Sequence, residues 1–217
     1  TQVTTSDFDT MMTANVASNR RILFKRGNTF DASVSSILSS GKKNIHFGAF
    51  GSGAKPIVNA TASSINIFQG LSNGSNPLNN ASDWSFNGIR FTASVGAFGV
   101  LAISPNTINE GIDNLTQAGR FLIHKCEFDG IHGPCGFSGP SNVVSATRID
   151  NVNHGTAQSG ATGMYSADVN MFVTLDCYID NAGGAEHVQR SQGGKVQAFI
   201  SNEYRRPPAT KHFLTIS

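Results

Sequence analysis

Charge is what this chain has least of. Only 14% of its 217 residues are Asp, Glu, Lys or Arg, and the formal net charge is +2; ordinary soluble domains carry about 25%. Coiled coils and helical bundles need charge-rich outer faces, so the shortage excludes them. Nucleic acid is not expected as a partner either, because phosphate contact demands a basic patch. Cysteine is scarce: Cys126, Cys135 and Cys177 are too few for a disulfide scaffold and show no zinc-type spacing. A thiol turned inward acts as a small hydrophobe, and proximity leaves a Cys126–Cys177 disulfide open. No apolar run approaches ~18 residues, so no membrane span is expected. The chain opens at Thr1 without an initiator Met or a signal peptide, and reads as a mature or excised piece.

What is present is turn-forming and hydroxyl-rich. Gly, Asn, Ser and Thr make up 83 of the 217 residues, a composition of many turns and few long helices. Within it one short pattern recurs. Ile89-Arg90-Phe91-Thr92 is followed by Cys126-Glu127-Phe128-Asp129, Thr147-Arg148-Ile149-Asp150, Cys177-Tyr178-Ile179-Asp180 and, more loosely, Asn202-Glu203-Tyr204-Arg205. The anchors Phe91, Phe128, Ile149, Ile179 and Tyr204 are spaced 37, 21, 30 and 25 residues apart. A minimum near 20 with insertions of varied length is the signature of a solenoid whose coils carry their own loops. Side chains alternate along a strand, so stacked copies put the five anchors in one inward column. Ile89, Cys126, Thr147, Cys177 and Asn202 then form a second. Asn or Gly two places after the anchor suits a turn. No repeat holds a 3.6-residue period over ten residues, and no leucine-rich pattern occurs. A parallel β-helix remains, as one domain over residues 1–217.

The amino-terminal part differs. Asp7 to Asn19 places Phe8, Met11, Met12 and Val16 on one helical face, with Ser6 as the expected N-cap. Residues 1–20 then form a helical cap over the open end, which a solenoid requires. Arg21–Lys25, Asn44–Phe47 and Ile57-Val58 read as strands, Gly27-Asn28 and Gly48–Pro56 as turns, and 70–83 and 104–119 as polar loops. Trp84 is expected to pack near the Phe91 strand. The run Phe213–Ser217 stops inside a strand-like segment. An exposed coil invites pairing, so further coils or self-association through this end are expected.

Two segments carry a resemblance. Ile22-Leu23-Phe24-Lys25-Arg26-Gly27-Asn28-Thr29-Phe30 and Gly48-Ala49-Phe50-Gly51-Ser52-Gly53-Ala54-Lys55-Pro56-Ile57 resemble the opening coils of secreted bacterial right-handed β-helix proteins of the pectate lyase-like superfamily. Gly184–Arg190 and Lys211–Leu214 look like later coils of such proteins. The resemblance implies an all-β right-handed parallel β-helix with a short N-terminal helical cap, a secreted or periplasmic location, and an acidic polysaccharide such as alginate or pectate as partner. The superfamily spans lyases, hydrolases, epimerases and fibres, so fold alone does not select a reaction. The Asp-Pro-His motif of mannuronan epimerases is absent.

Candidate chemistry follows from the repeat. The residue after each anchor points outward, which stacks Thr92, Asp129, Asp150, Asp180 and Arg205 about 4.8 Å apart. Carboxylates so close repel unless a cation or bases intervene, and oxygen ligands on a flexible wall suit Ca²⁺. Asp129, Asp150 and Asp180 are therefore candidate Ca²⁺ ligands; in the resembling lyases such an ion bridges protein and uronate carboxylates. The plainer reading is that Asp-Gly and Asp-Asn are good turn pairs. A second cluster is basic. Glu186, His187 and Arg190 precede, and Lys211 and His212 follow, the strand bearing Arg205, and equal five-residue spacings align Glu186-His187 with Lys211-His212. β-Elimination from a uronan needs a neutralised carboxylate, a base for the C5 proton and help for the leaving group. Arg190 or Arg205 suits the first task, and Lys211 or His187 the second, with His212 beside them. Singly, each His also reads as a hydrogen-bonded wall residue, as His124 and His132 do. A glycosidase needs two carboxylates about 5–10 Å apart, for which Asp176 and Asp180 with Glu186 or Asp150 are the candidates. The expectations are a polysaccharide lyase first, a non-catalytic glycan-binding or fibre-forming β-helix second, and a glycoside hydrolase third.

Overall fold

The computed structural model describes residues 2–3, 7–34, 36–37, 42–62, 66–72, 82–93, 99–105, 119–131, 133–150, 162–180, 187–205 and 214–216. They hold one helix, α1 (Phe8–Asn15), and nineteen strands in two sheets of twelve and seven. Every strand pairing is parallel. No described helix is long and apolar enough to cross a membrane.

β1 (Gln2–Val3) precedes α1. The chain then runs in passes, each laying strands on three stacks in the same order. β2 (Arg20–Lys25), β3 (Thr29–Ala32) and β4 (Ser36–Ile37) form the first pass, and β5 (Lys43–Phe50), β6 (Ile57–Ala60) and β7 (Asn66–Ser72) the second. β8 (Ser82–Asn87), β9 (Arg90–Ala93) and β10 (Gly99–Pro105) form the third. After β11 (Gly119–His124) and β12 (Glu127–Asp129) the pattern changes. The long β13 (Gly133–Ser145) pairs with β10 through Gly133–Gly136 and with β11 through Asn142–Ser145. It fuses the third stack to the first and so makes the twelve-stranded sheet. β14 (Arg148–Asp150), β15 (Thr162–Leu175), β16 (Tyr178–Asp180), β17 (His187–Ile200), β18 (Glu203–Arg205) and β19 (Leu214–Ile216) continue the scheme.

The repeat read from the sequence is the register of the second stack. Phe91 faces Phe128, then Ile149, Ile179 and Tyr204, and Val58 and Phe30 extend the column backwards. The next inward column, Ile89, Cys126, Thr147 and Cys177, is also buried. Both Cys126 and Cys177 are free thiols: the pass carrying Thr147 separates them, so they form no disulfide. Burial pushes the Cys126 thiol up to about 11, which leaves it an inert core group.

A corner precedes this column. Gly88, Lys125, Ala146, Asp176 and Ser201 all adopt left-handed backbone, with φ between 47° and 68°. The first four each donate their N–H to a carbonyl of the next pass, at His124, Ser145, Leu175 and Ile200 respectively. Turning in a single residue brings the following side chain inward at once. Thr147 Oγ1 then donates back to the Ser145 carbonyl at 2.9 Å, and the Cys126 and Cys177 thiols donate more weakly to the His124 and Leu175 carbonyls, each at 3.5 Å. The corner therefore lies three residues before each anchor. The expected turn two residues after it is seen at Gly130 (φ 71°).

At the amino-terminal end, Phe8, Met11, Met12 and Val16 are buried as the helical spacing requires. The N-cap is Asp7, whose carboxylate accepts the Thr10 N–H at 2.9 Å; Ser6 lies outside the described residues. Phe8 stacks on Phe24 and meets Phe68 edge-on, with centroids 6.1 and 5.7 Å apart. Residues 1–20 are not helical throughout, because β1 pairs with β2 as a further parallel strand. A further expectation needs correction. Gly48–Phe50 belongs to β5 rather than to a turn. Trp84 sits on the first stack against Phe121, at 5.5 Å, and its Nε1 donates to the Lys42 carbonyl. The expected polar loops are shorter than 70–83 and 104–119, since β7 runs to Ser72, β8 begins at Ser82 and β10 runs to Pro105; what lies between is outside the described residues.

Candidate functional site

The seven-stranded sheet turns two columns of side chains outward. One reads Asp31, Asn59, Thr92, Asp129, Asp150, Asp180 and Arg205 in strict register. The alternation of a strand, repeated on each pass, places these residue types in line, as the sequence pattern predicts. The second column, two residues earlier on each strand, reads Arg90, Glu127, Arg148, Tyr178 and Glu203.

Hydrogen bonds run both within these columns and between them. Asn59 Nδ2 donates to Asp31 and Thr92 Oγ1 donates to Asn59 Oδ1, both at 3.0 Å. Arg90 donates to Asp129 across one pass at 3.0 Å, and Lys55 to Glu127 at 2.7 Å. Arg148 holds both carboxylate oxygens of Asp150 on its own strand. Tyr178 donates its hydroxyl to Asp180 at 3.2 Å, and Asp180 is only 5% exposed. The Tyr178 ring lies under two guanidiniums, Arg148 at 4.2 Å and Arg205 at 5.4 Å. Arg205 also donates to Glu203. The stacked carboxylates are thus accommodated by bases and a phenol from the neighbouring column, the compensation that such spacing requires. Among the described residues no group of three or more His, Cys, Asp or Glu side chains converges as metal ligands would.

Of the residues expected to act, Asp129, Asp150, Asp180 and Arg205 share one outward column. His187 opens β17 opposite Thr162, and Arg190 faces Tyr165 on β15; for both, only the backbone position is described. Lys211, His212 and Glu186 lie outside the described residues. Asp176 belongs to the left-handed corner, on the far side of Cys177 from Asp180. His124 is a hydrogen-bonded wall residue, its Nδ1 2.9 Å from Ser145 Oγ; His132 lies outside the described residues. The pairings of Arg90, Glu127 and Arg148 were not apparent in the sequence. Their signal was there, one alternation before the Asp column; the partners of Arg90 and Glu127 sit on other passes, and that of Arg148 two residues along its own strand.

No family model, curated protein or solved structure matches this chain.

Proposed function

We propose that the chain is a right-handed parallel β-helix of the pectate lyase-like type, secreted or periplasmic, that engages an extended acidic glycan along its outer wall and cleaves it by β-elimination. The observation that carries this reading is the in-register double column on the seven-stranded sheet. It offers carboxylate, guanidinium and phenol groups repeating at about 4.8 Å along the stack, a pattern suited to a polymer rather than a small molecule. Arginine forks recognise carboxylates in two-point fashion. In this proposal Arg190 or Arg205 neutralises the uronate carboxylate, and Lys211 or His187 takes the C5 proton, with His212 beside them. Asp129, Asp150 and Asp180 are the residues that would hold Ca²⁺.

A second reading has its own observation. Asp129, Asp150 and Asp180 each already have an arginine or tyrosine partner, which favours a wall that binds glycan without a resident ion or a reaction. One assay separates the two. Lyase products absorb near 235 nm, so the purified chain is incubated with alginate and with pectate, with Ca²⁺ and with chelator. A rise abolished by Lys211→Ala or Arg190→Ala is expected. No rise, with retention on a uronan affinity column, leaves the binding reading; neither rise nor retention overturns both.

A further inference from the structure

Away from that wall, where the first stack begins, an open pocket of about 500 Å³ is lined by Asn19, Arg20, Arg21, Asn44 and His46. Two guanidiniums, an imidazole and two amides line it, with no carboxylate among its described lining residues. Asp83, on the next pass between the residues paired with Lys43 and Ile45, is engaged by Arg120 through both oxygens and by Ser82.

The frame is rigid. Asn19 and Asn44 both hold left-handed backbone, at φ 60° and 55°, and Asn44 Nδ2 donates to Asn19 Oδ1 at 2.9 Å. The Asn19 N–H donates to the Lys43 carbonyl at 2.9 Å, and the Lys43 N–H to Ser18 Oγ at 3.0 Å. In the next pass Ser85, directly opposite His46, holds its Nδ1 at 2.8 Å. The ring lies across Gly48: a Cβ at residue 48 would fall 2.7 Å from Nε2, closer than real contacts permit. Glycine here makes room for the imidazole. When Ser85 donates to Nδ1, Nε2 keeps the proton and becomes a donor.

We propose that Asn19, Arg20, Arg21, Asn44 and His46 form an oxyanion-binding pocket that takes a carboxylate, sulfate or phosphate group. Guanidinium forks and a fixed N–H donor match planar or tetrahedral oxyanions. Burial, and then the Arg21 charge, hold the His46 imidazole below its ordinary range. It therefore meets the ligand in its neutral form, donating through Nε2 when Ser85 donates to Nδ1, and a bound anion raises its proton affinity. The inference is independent of β-elimination and stands if that reaction is absent.

The test follows the His46 ring by NMR in the full chain, assigned with His46→Gln, during titration with inorganic sulfate, inorganic phosphate or galacturonate at fixed ionic strength. A saturable shift of His46 is expected, with a rise in its pKa. Losing a charge-assisted hydrogen bond weakens binding about tenfold or more, so the Arg20→Gln/Arg21→Gln variant should bind at least that much less tightly. Both arginines are exposed, so that variant is expected to fold. Gly48→Ala should displace the ring and weaken binding with the arginines intact. A response to galacturonate alone assigns the pocket to a sugar carboxylate; a response to the inorganic ions alone assigns it to free anions. No saturable shift with any of the three overturns the proposal, and so does equal affinity in the double-arginine variant.

Discussion

The two halves of this molecule fill the same backbone scaffold with different mixtures of side chains. In the early passes the interior is aromatic. Phe8, Phe24, Phe30, Phe47, Phe68, Phe86 and Phe91 are buried, and their contacting centroids lie 4.8 to 6.1 Å apart. In the late passes the same inward columns keep apolar residues such as Val144, Met164, Phe172 and Ile179 but also carry Asn142, Thr147, Thr174, Gln189 and Ser191, all buried. These late groups are partly tied by directional bonds. Tyr204 donates to Gln189 Oε1 at 2.7 Å, and Asn202 donates to Thr174 Oγ1 at 2.8 Å while accepting the Cys177 N–H at 2.9 Å. Asn142, in register between Phe121 and Phe172, makes no side-chain hydrogen bond among the described residues. Aromatic burial is strong and indifferent to direction. Hydrogen bonds contribute less but penalise every register that leaves a partner unmade. The early half is built for adhesion, the late half for alignment.

The largest expected effect tests the aromatic half. Phe68 touches Phe8, Phe47, Phe86 and Phe91, so Phe68→Ala should cost about 3–5 kcal/mol, read by denaturant unfolding. Next comes the polar half. Gln189→Met removes the Gln189 acceptor of the Tyr204 hydroxyl, which also has Asn202 and Thr174 beside it, and should cost about 0.5–1.5 kcal/mol. Adding Tyr204→Phe should recover most of that loss, since removing both partners is nearly neutral. If the double variant stays as unstable as the single one, the directional account of the late passes fails. A smaller effect concerns pH. As pH falls through about 6.5, the ordinary histidine value, the unfolded chain binds a proton at His46 that the folded chain takes up only at lower pH. Stability contributed by neutral His46 should therefore be complete above that value and fall away below it, down to the folded-state value. His46→Gln should flatten this limb in melts across pH 5 to 8. Smallest is Arg148→Gln on the outer wall. Its side chain is 53% exposed, so the loss should stay within about 1 kcal/mol, despite the bond to Asp150 and the stacking on Tyr178. A larger loss would show that the wall, and not only the interior, holds the late passes together.

Much of the second stack was legible because its rule is local. Strand alternation turns Phe91, Phe128, Ile149, Ile179 and Tyr204 to one side and Asp129, Asp150, Asp180 and Arg205 to the other, whatever lies between copies. The corner was harder to see. Glycine marks the left-handed position only at Gly88; Lys125, Ala146, Asp176 and Ser201 carry no such signal, and adopt it where each pass must hydrogen-bond to the next. The His46 pocket was missed for a related reason, since Arg21, His46 and Ser85 come from three passes.

By itself the sequence determined the all-β character, the helical face of Phe8, Met11, Met12 and Val16, and the column register of the repeats. Each of these depends on neighbours within a few residues. Tertiary structure alone decided that Arg90 reaches Asp129, that a pass separates Cys126 from Cys177, that β13 fuses two stacks, and that Gly48 makes space for an imidazole. Those contacts join residues brought together by passes of unequal length. Their partners are chosen by stacking and hydrogen bonding between passes, which no local pattern encodes.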